Sequence, residues 1–155
     1  AKTLANINVD GINQWGRTKD ITVIGLGASD LDDYLRDAAA EQSRTLRPDP
    51  ESEKGFYYRS DHFNLARAGV PMLYTKAGID SPALGADYGK KWLAEYTAKR
   101  YHQVSDEYSP DWDVSGTLQD LQLYYDVGLG IANSQRWPNW YPGVEFRAIR
   151  DQSRK

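Results

Sequence analysis

Cysteine is absent from this chain, which removes disulfides and thiolate chemistry and leaves the compartment open. Histidine occurs only twice, so any imidazole chemistry must rest on His62 or His102. There is no apolar run of about 18 residues or more, the length a bilayer-spanning helix needs. The opening AKTLANINVDG lacks the charged, apolar and small-residue succession of a secretion signal. Neither sign of charge dominates: 26% of residues are charged, the formal net charge is -3, and lysine and arginine are scattered. Nucleic acid and an anionic membrane are therefore not implied as partners. There is no G-x-S-x-G elbow, no phosphate-cradling glycine loop and no internal repeat.

The 155 residues that remain suit a single domain able to bury a sizeable core. Tyrosine (11) and tryptophan (5) are plentiful, and because they fall in amphipathic stretches, core packing is their expected role. LANINVD alternates as a strand ending at Asp10, beginning so early that it suits the interior of a longer protein. DITVIGLG (20–27) and VPMLYTKAG (70–78) are nearly continuous apolar runs, as buried strands are. A Ser/Asp cap followed by Leu31, Tyr34, Leu35 and Ala38 predicts a helix from Ser29. SDHFNLARAG predicts a second helix, capped by Ser60 or Asp61 and ended by Gly69. Residues 87–99 read as helical, and a long helix runs from Asp113 with Leu118, Leu121, Leu123, Tyr125 and Leu129 on one broad face. TLRPDPESEKG reads as a loop, and the aromatic, then basic, tail from Gln135 is expected to wrap the surface. Strands separated by helices predict an α/β fold, a three-layer α/β/α sandwich with a mostly parallel sheet. Functional side chains in such sheets gather beyond the carboxyl ends of strands, where Asp10 stands.

Three stretches could carry chemistry. Asp10 is either a hard-oxygen metal ligand or the first half of an Asp-Gly turn. RYHQVSDEYSPDWD (100–113) offers the His102 imidazole, the Tyr101 phenol beside it and Asp106 nearby to orient a ligating ring, although a single His beside Tyr is also a common structural pair. YRSDHFNLARAGVP (58–71) holds Ser60, Asp61 and His62, but adjacent residues do not fold into a nucleophile-base-orienter chain, so a helix start explains them better.

In that order, ANINVDG, YRSDHFNLARAGVP and YHQVSDEYSPDWD resemble the last part of the zinc exopeptidases of metallopeptidase family 28, the aminopeptidase Y-like and glutamate carboxypeptidase-like enzymes. The resemblance implies an α/β/α sandwich that binds two zinc ions bridged by an aspartate and a water. It implies Asp10 as a terminal ligand of one zinc, His102 as a ligand of the other, Tyr101 as an oxyanion stabiliser and Arg59 as a substrate contact. Asp61 and His62 match a supporting polar motif. No H-x-D and no Glu-Glu pair occurs, so by this correspondence three metal ligands and the general base are missing. The chain is accordingly expected to be the carboxyl-terminal portion of one catalytic domain, its upstream half absent, inactive alone and weak or empty of zinc. An uncovered sheet edge would then invite self-association. Peptide substrate and a secreted or periplasmic location follow from the same resemblance. Two alternatives stay open: a glutaminyl-cyclase-like zinc acyltransferase, and a non-catalytic module gripping peptide or sugar through the Trp/Tyr-rich tail.

Overall fold

A computed structural model describes residues 2–154. Its elements in chain order are β1 (Asn6–Val9), β2 (Asp20–Ile24), α1 (Leu31–Glu41), β3 (Thr45–Pro48), α2 (His62–Arg67), β4 (Met72–Ala77), α3 (Tyr88–Lys99), α4 (Ser115–Asn133) and α5 (Arg147–Ser153). Two 3₁₀ turns, Ser52–Lys54 and Phe56–Tyr58, precede α2. The four strands form one sheet in the order β1-β4-β2-β3. Pairs β1/β4 and β2/β3 are parallel and the central β4/β2 pair is antiparallel, so the sheet is mostly parallel.

Period-two alternation divides each strand between two faces. Ile21 and Val23 of β2 and Leu73 of β4 meet Leu31 and Leu35 of α1 and Leu123, Val127 and Ile131 of α4. Ile24, Met72 and Tyr74 point the other way, onto Ala66 of α2 and onto Trp140 and Phe146 of the tail. Helical layers on both faces make the expected α/β sandwich. Each fully buried Leu or Ile here contributes ~1.5–3 kcal/mol relative to its exposed state.

Four sequence expectations change. Thr45–Pro48 is a strand rather than a loop, and Pro48 is tolerated because β3 lies at the sheet edge. The tail does not merely wrap the surface: Trp140 and Arg150 are 0% exposed. Arg150 donates to the carbonyls of Thr3, Leu4 and Pro138, tying α5 to the start of the chain, while the Trp140 indole donates to the Gly69 carbonyl at 3.0 Å. The broad apolar face of α4 splits, since Leu123 is buried while Leu118, Leu121, Tyr125 and Leu129 are exposed. Neither α1 nor α2 has a side-chain cap at its N-cap residue, although at α1 the Ser29 hydroxyl accepts from the Leu31 N–H at 3.4 Å, as the expected serine cap would. Asp30 instead accepts from the Asn139 backbone, and Asp61 is exposed. Gly69 does end the turn after α2, at φ +86, where a β-carbon would lie 2.8 Å from the Arg150 nitrogen.

Candidate active site

β1 and β4 run parallel with Val9 opposite Thr75, so their carboxyl ends coincide and Asp10 emerges beside Lys76. Oδ2 of Asp10 accepts hydrogen bonds from the Ser60 hydroxyl at 2.8 Å and the Tyr74 phenol at 3.3 Å. Asn8 Nδ2 donates to Ser60 Oγ at 3.2 Å and so braces the same hydroxyl. Burial, and then the Asp10 charge, push the Tyr74 phenol up, which keeps it a protonated donor. The carboxylate itself stays exposed, with its second oxygen carrying no side-chain partner among the described residues.

A cavity of about 450 Å³ opens over this strand end. Asp10, Arg59 and the adjacent pair Tyr101 and His102, drawn from three separate stretches, all line it. Tyr101 is held at the end of α3, its backbone N–H donating to the Tyr96 carbonyl at 3.0 Å. His102 follows with φ 58, a left-handed conformation that a non-glycine residue adopts only at a cost of ~1–3 kcal/mol. Its ring stacks on Tyr101 at 3.9 Å between centroids. Arg59 is exposed, with one long contact, 3.4 Å, to the Lys54 carbonyl.

His62 has a different place. It is 1% exposed, and Nε2 lies 2.7 Å from the Tyr57 carbonyl, so Nε2 carries the proton and donates. Nδ1 is buried without a partner among the described residues. Burial lowers the His62 pKa, and the neutral ring packs beneath Tyr74 at 4.8 Å. Ser60 is turned away from it, toward Asp10. Asp106 does not orient His102; it accepts from the Tyr96 phenol at 2.7 Å and pushes that phenol up to about 12.

Sequence reasoning missed the groups that brace Asp10. Tyr74 reads as strand packing and Ser60 as a cap; only the parallel pairing of β1 with β4 sets them beside the carboxylate. It also missed the cavity floor, where Asp120 of α4 meets Arg44 at 2.8 Å in a buried ion pair and the Tyr124 hydroxyl contacts Thr75 Oγ1 at 2.6 Å. Burial pushes the Asp120 carboxyl up, with Arg44 pulling against it. No apolar spacing announces that pair, because an Asp in a helix is ordinarily a solvated residue.

Zinc takes imidazole and carboxylate donors, and a catalytic site uses about three of them plus a water. Asp10 and His102 are donors of the right type on one cavity. Their number falls short: among the described residues no group of three or more His, Cys, Asp or Glu could hold a metal ion. Among the same residues no helix is long and apolar enough to cross a membrane.

An α/β sandwich whose strand-end carboxylate shares a cavity with an imidazole and a phenol belongs to the class of proteins that act beyond the carboxyl ends of their strands. Residues 1–126 match Peptidase family M28, and the chain belongs to that family of zinc-dependent metallopeptidases. No curated protein and no solved structure matched the chain.

Proposed function

We propose that this chain is the carboxyl-terminal portion of the catalytic domain of a secreted or periplasmic aminopeptidase, in which Asp10 and His102 each hold one of two zinc ions. The observation that carries this reading is the meeting of Asp10 and His102 on one cavity although they lie on distant parts of the chain. The remaining ligands and the general base lie outside this stretch, so residues 1–155 alone do not turn over peptides. Bound zinc would supply Lewis acidity and a water of lowered pKa.

The chain's own residues then have separate tasks. Ser60 and Tyr74 hold one Asp10 oxygen and leave the other free to ligate. The Tyr101 phenol, exposed beside His102, donates to the carbonyl oxygen on which charge develops, and one good donor of this kind supplies ~2.7–4 kcal/mol. Arg59 lines the cavity where the substrate chain would enter.

The test uses the zinc-loaded enzyme that contains this stretch. His102→Ala is expected to abolish release of amino-terminal residues and to lower zinc content, whereas His62→Ala, which changes a buried ring, lowers stability first. The opposite ranking of the two variants overturns the assignment.

A further inference from the structure

Tyr101 and His102 stand on a segment that core packing does not hold. Residues 101–108 are all exposed, Val104 to 97%. His102 keeps its left-handed backbone, φ 58, only if its surroundings impose it. Tyr96, near the end of α3, meets that segment at three points. Its carbonyl accepts from the N–H groups of Arg100 and Tyr101, at 2.8 and 3.0 Å, and fixes where the segment leaves the helix. Its ring meets the Tyr101 ring edge-on, 6.1 Å between centroids, and Tyr101 in turn stacks on His102. Its phenol donates to Asp106 at 2.7 Å, where the segment turns back toward α3. Asp106 thus acts on the backbone that carries His102 rather than on the imidazole. The Ser105 hydroxyl, donating to the Lys99 carbonyl at 3.1 Å, is a second tie.

Tyr96 is itself anchored to the core. Its ring stacks on Trp92, one turn earlier in α3, at 5.5 Å, and Trp92 packs on Trp15 at 4.9 Å. Trp15 is buried, and its indole donates to the carbonyl of Gly78, just beyond β4, at 3.1 Å. The Arg100 guanidinium lies over the Trp92 and Tyr96 rings, at 4.8 and 5.4 Å, and ties the start of the segment to the same stack. Rigid rings in contact therefore lead from the buried Trp15 to the exposed imidazole, and all five line the cavity. We infer that Tyr96 is the positioning residue of this site, its clasp on Asp106 holding Tyr101 and His102 in place at the cavity. The inference rests on the peptidase reading only in taking those two as working residues.

Order in the segment, rather than turnover, tests it. In purified residues 1–155, backbone order parameters from nitrogen-15 relaxation are expected near ~0.85 through 101–106, as for rigid backbone. Tyr96→Phe keeps the ring stack and removes only the hydroxyl. It is expected to take 101–106 below ~0.6 while the rest of α3 and the urea midpoint stay unchanged. Asp106→Ala should do the same, and Asp106→Asn, which keeps an oxygen acceptor for the phenol, should retain most of the order. Tyr96→Phe combined with Asp106→Ala should be no looser than either alone. A segment already mobile in wild type, one that stays rigid in Tyr96→Phe, or a double variant looser than both singles overturns the clasp. Asp106 is exposed, so its two variants decide the matter even where Tyr96→Phe does not fold. Zinc affinity of the zinc-loaded enzyme is scored separately, with a ~10–100-fold loss expected for Tyr96→Phe and most of the affinity kept in Asp106→Asn. A loosened segment at unchanged zinc affinity counts against His102 as a ligand, and so against the peptidase reading alone. Lowered affinity with an unmoved segment counts against the clasp alone.

Discussion

Ser60 and Asp10 are joined by a 2.8 Å hydrogen bond that ties the end of β1 to the segment leading into α2. The same hydroxyl accepts from Asn8, so Ser60 orients Asp10 instead of capping its own helix. This exchange sets the carboxylate's direction.

Ser60→Ala should therefore alter zinc affinity more than stability. Loss of its two hydrogen bonds, to Asp10 and from Asn8, each exposed or partly exposed and so near the low end of ~0.5–1.5 kcal/mol, is expected to cost ~1 kcal/mol in urea unfolding. Zinc affinity of the zinc-loaded enzyme should fall ~10–100-fold, as when a group orienting a ligand is removed. Competition with a chelating dye measures it, and an unchanged affinity rejects the orienting role.

His62 should make folding sensitive to mild acid. Burial lowers its pKa in the folded chain, while the unfolded imidazole titrates near about 6.5. The unfolded state thus binds the proton first, so this contribution to stability is present above that pH and is lost as pH falls through the window down to the folded value. Urea midpoints of wild type should drop between neutral and mildly acidic pH, and His62→Gln should show a shallower drop. Identical slopes for the two proteins would place the sensitivity elsewhere.

The pair between Arg44 and Asp120 is buried on both sides, with side-chain exposures of 0% and 8%. Asp120→Ala would leave Arg44 with the Asp20 carbonyl, the Thr18 hydroxyl and the Gln42 side-chain oxygen as partners, and no opposing charge in contact. Removing one member of such a pair is expected to cost ~3–5 kcal/mol, measured by denaturant unfolding. A loss below about 1 kcal/mol, typical of exposed pairs, would show that the pair is solvated.

Purified residues 1–155 should self-associate. β1 has no strand on its outer side among the described residues, and α4 exposes Leu118 (64%) and Tyr125 (64%) along a helical stripe with Leu121 and Leu129. An open edge and an apolar stripe favour pairing with another chain. Sedimentation velocity should show dimers or larger species that Leu118→Lys with Tyr125→Lys converts to monomers. A wild-type monomer across the concentration range defeats this expectation.

Much of the architecture was legible from local pattern. The apolar runs at 20–27 and 70–78 became β2 and β4, the helical spacing after Ser29 became α1, and Gly69 ended the turn after α2. Asp10 was readable as a strand-end carboxylate because alternation ends there. β3 was not, because TLRP has no alternation of its own and is a strand only through β2. The tail was not either: its basic residues suggested a surface, but the Arg150 guanidinium is buried by three carbonyls that lie far from it in sequence or around its own bend.

The amino-acid order alone thus determined the alternation of strands and helices, the carboxylate at the end of β1 and the imidazole after Tyr101, since propensity and period act over a few neighbouring residues. Tertiary structure alone decided that His62 is buried beneath Tyr74, that Ser60 serves Asp10, and that Lys76 shares a cavity with Arg59. Those outcomes depend on which strand lies beside which, and the sequence carries no local mark of a partner that is distant along the chain.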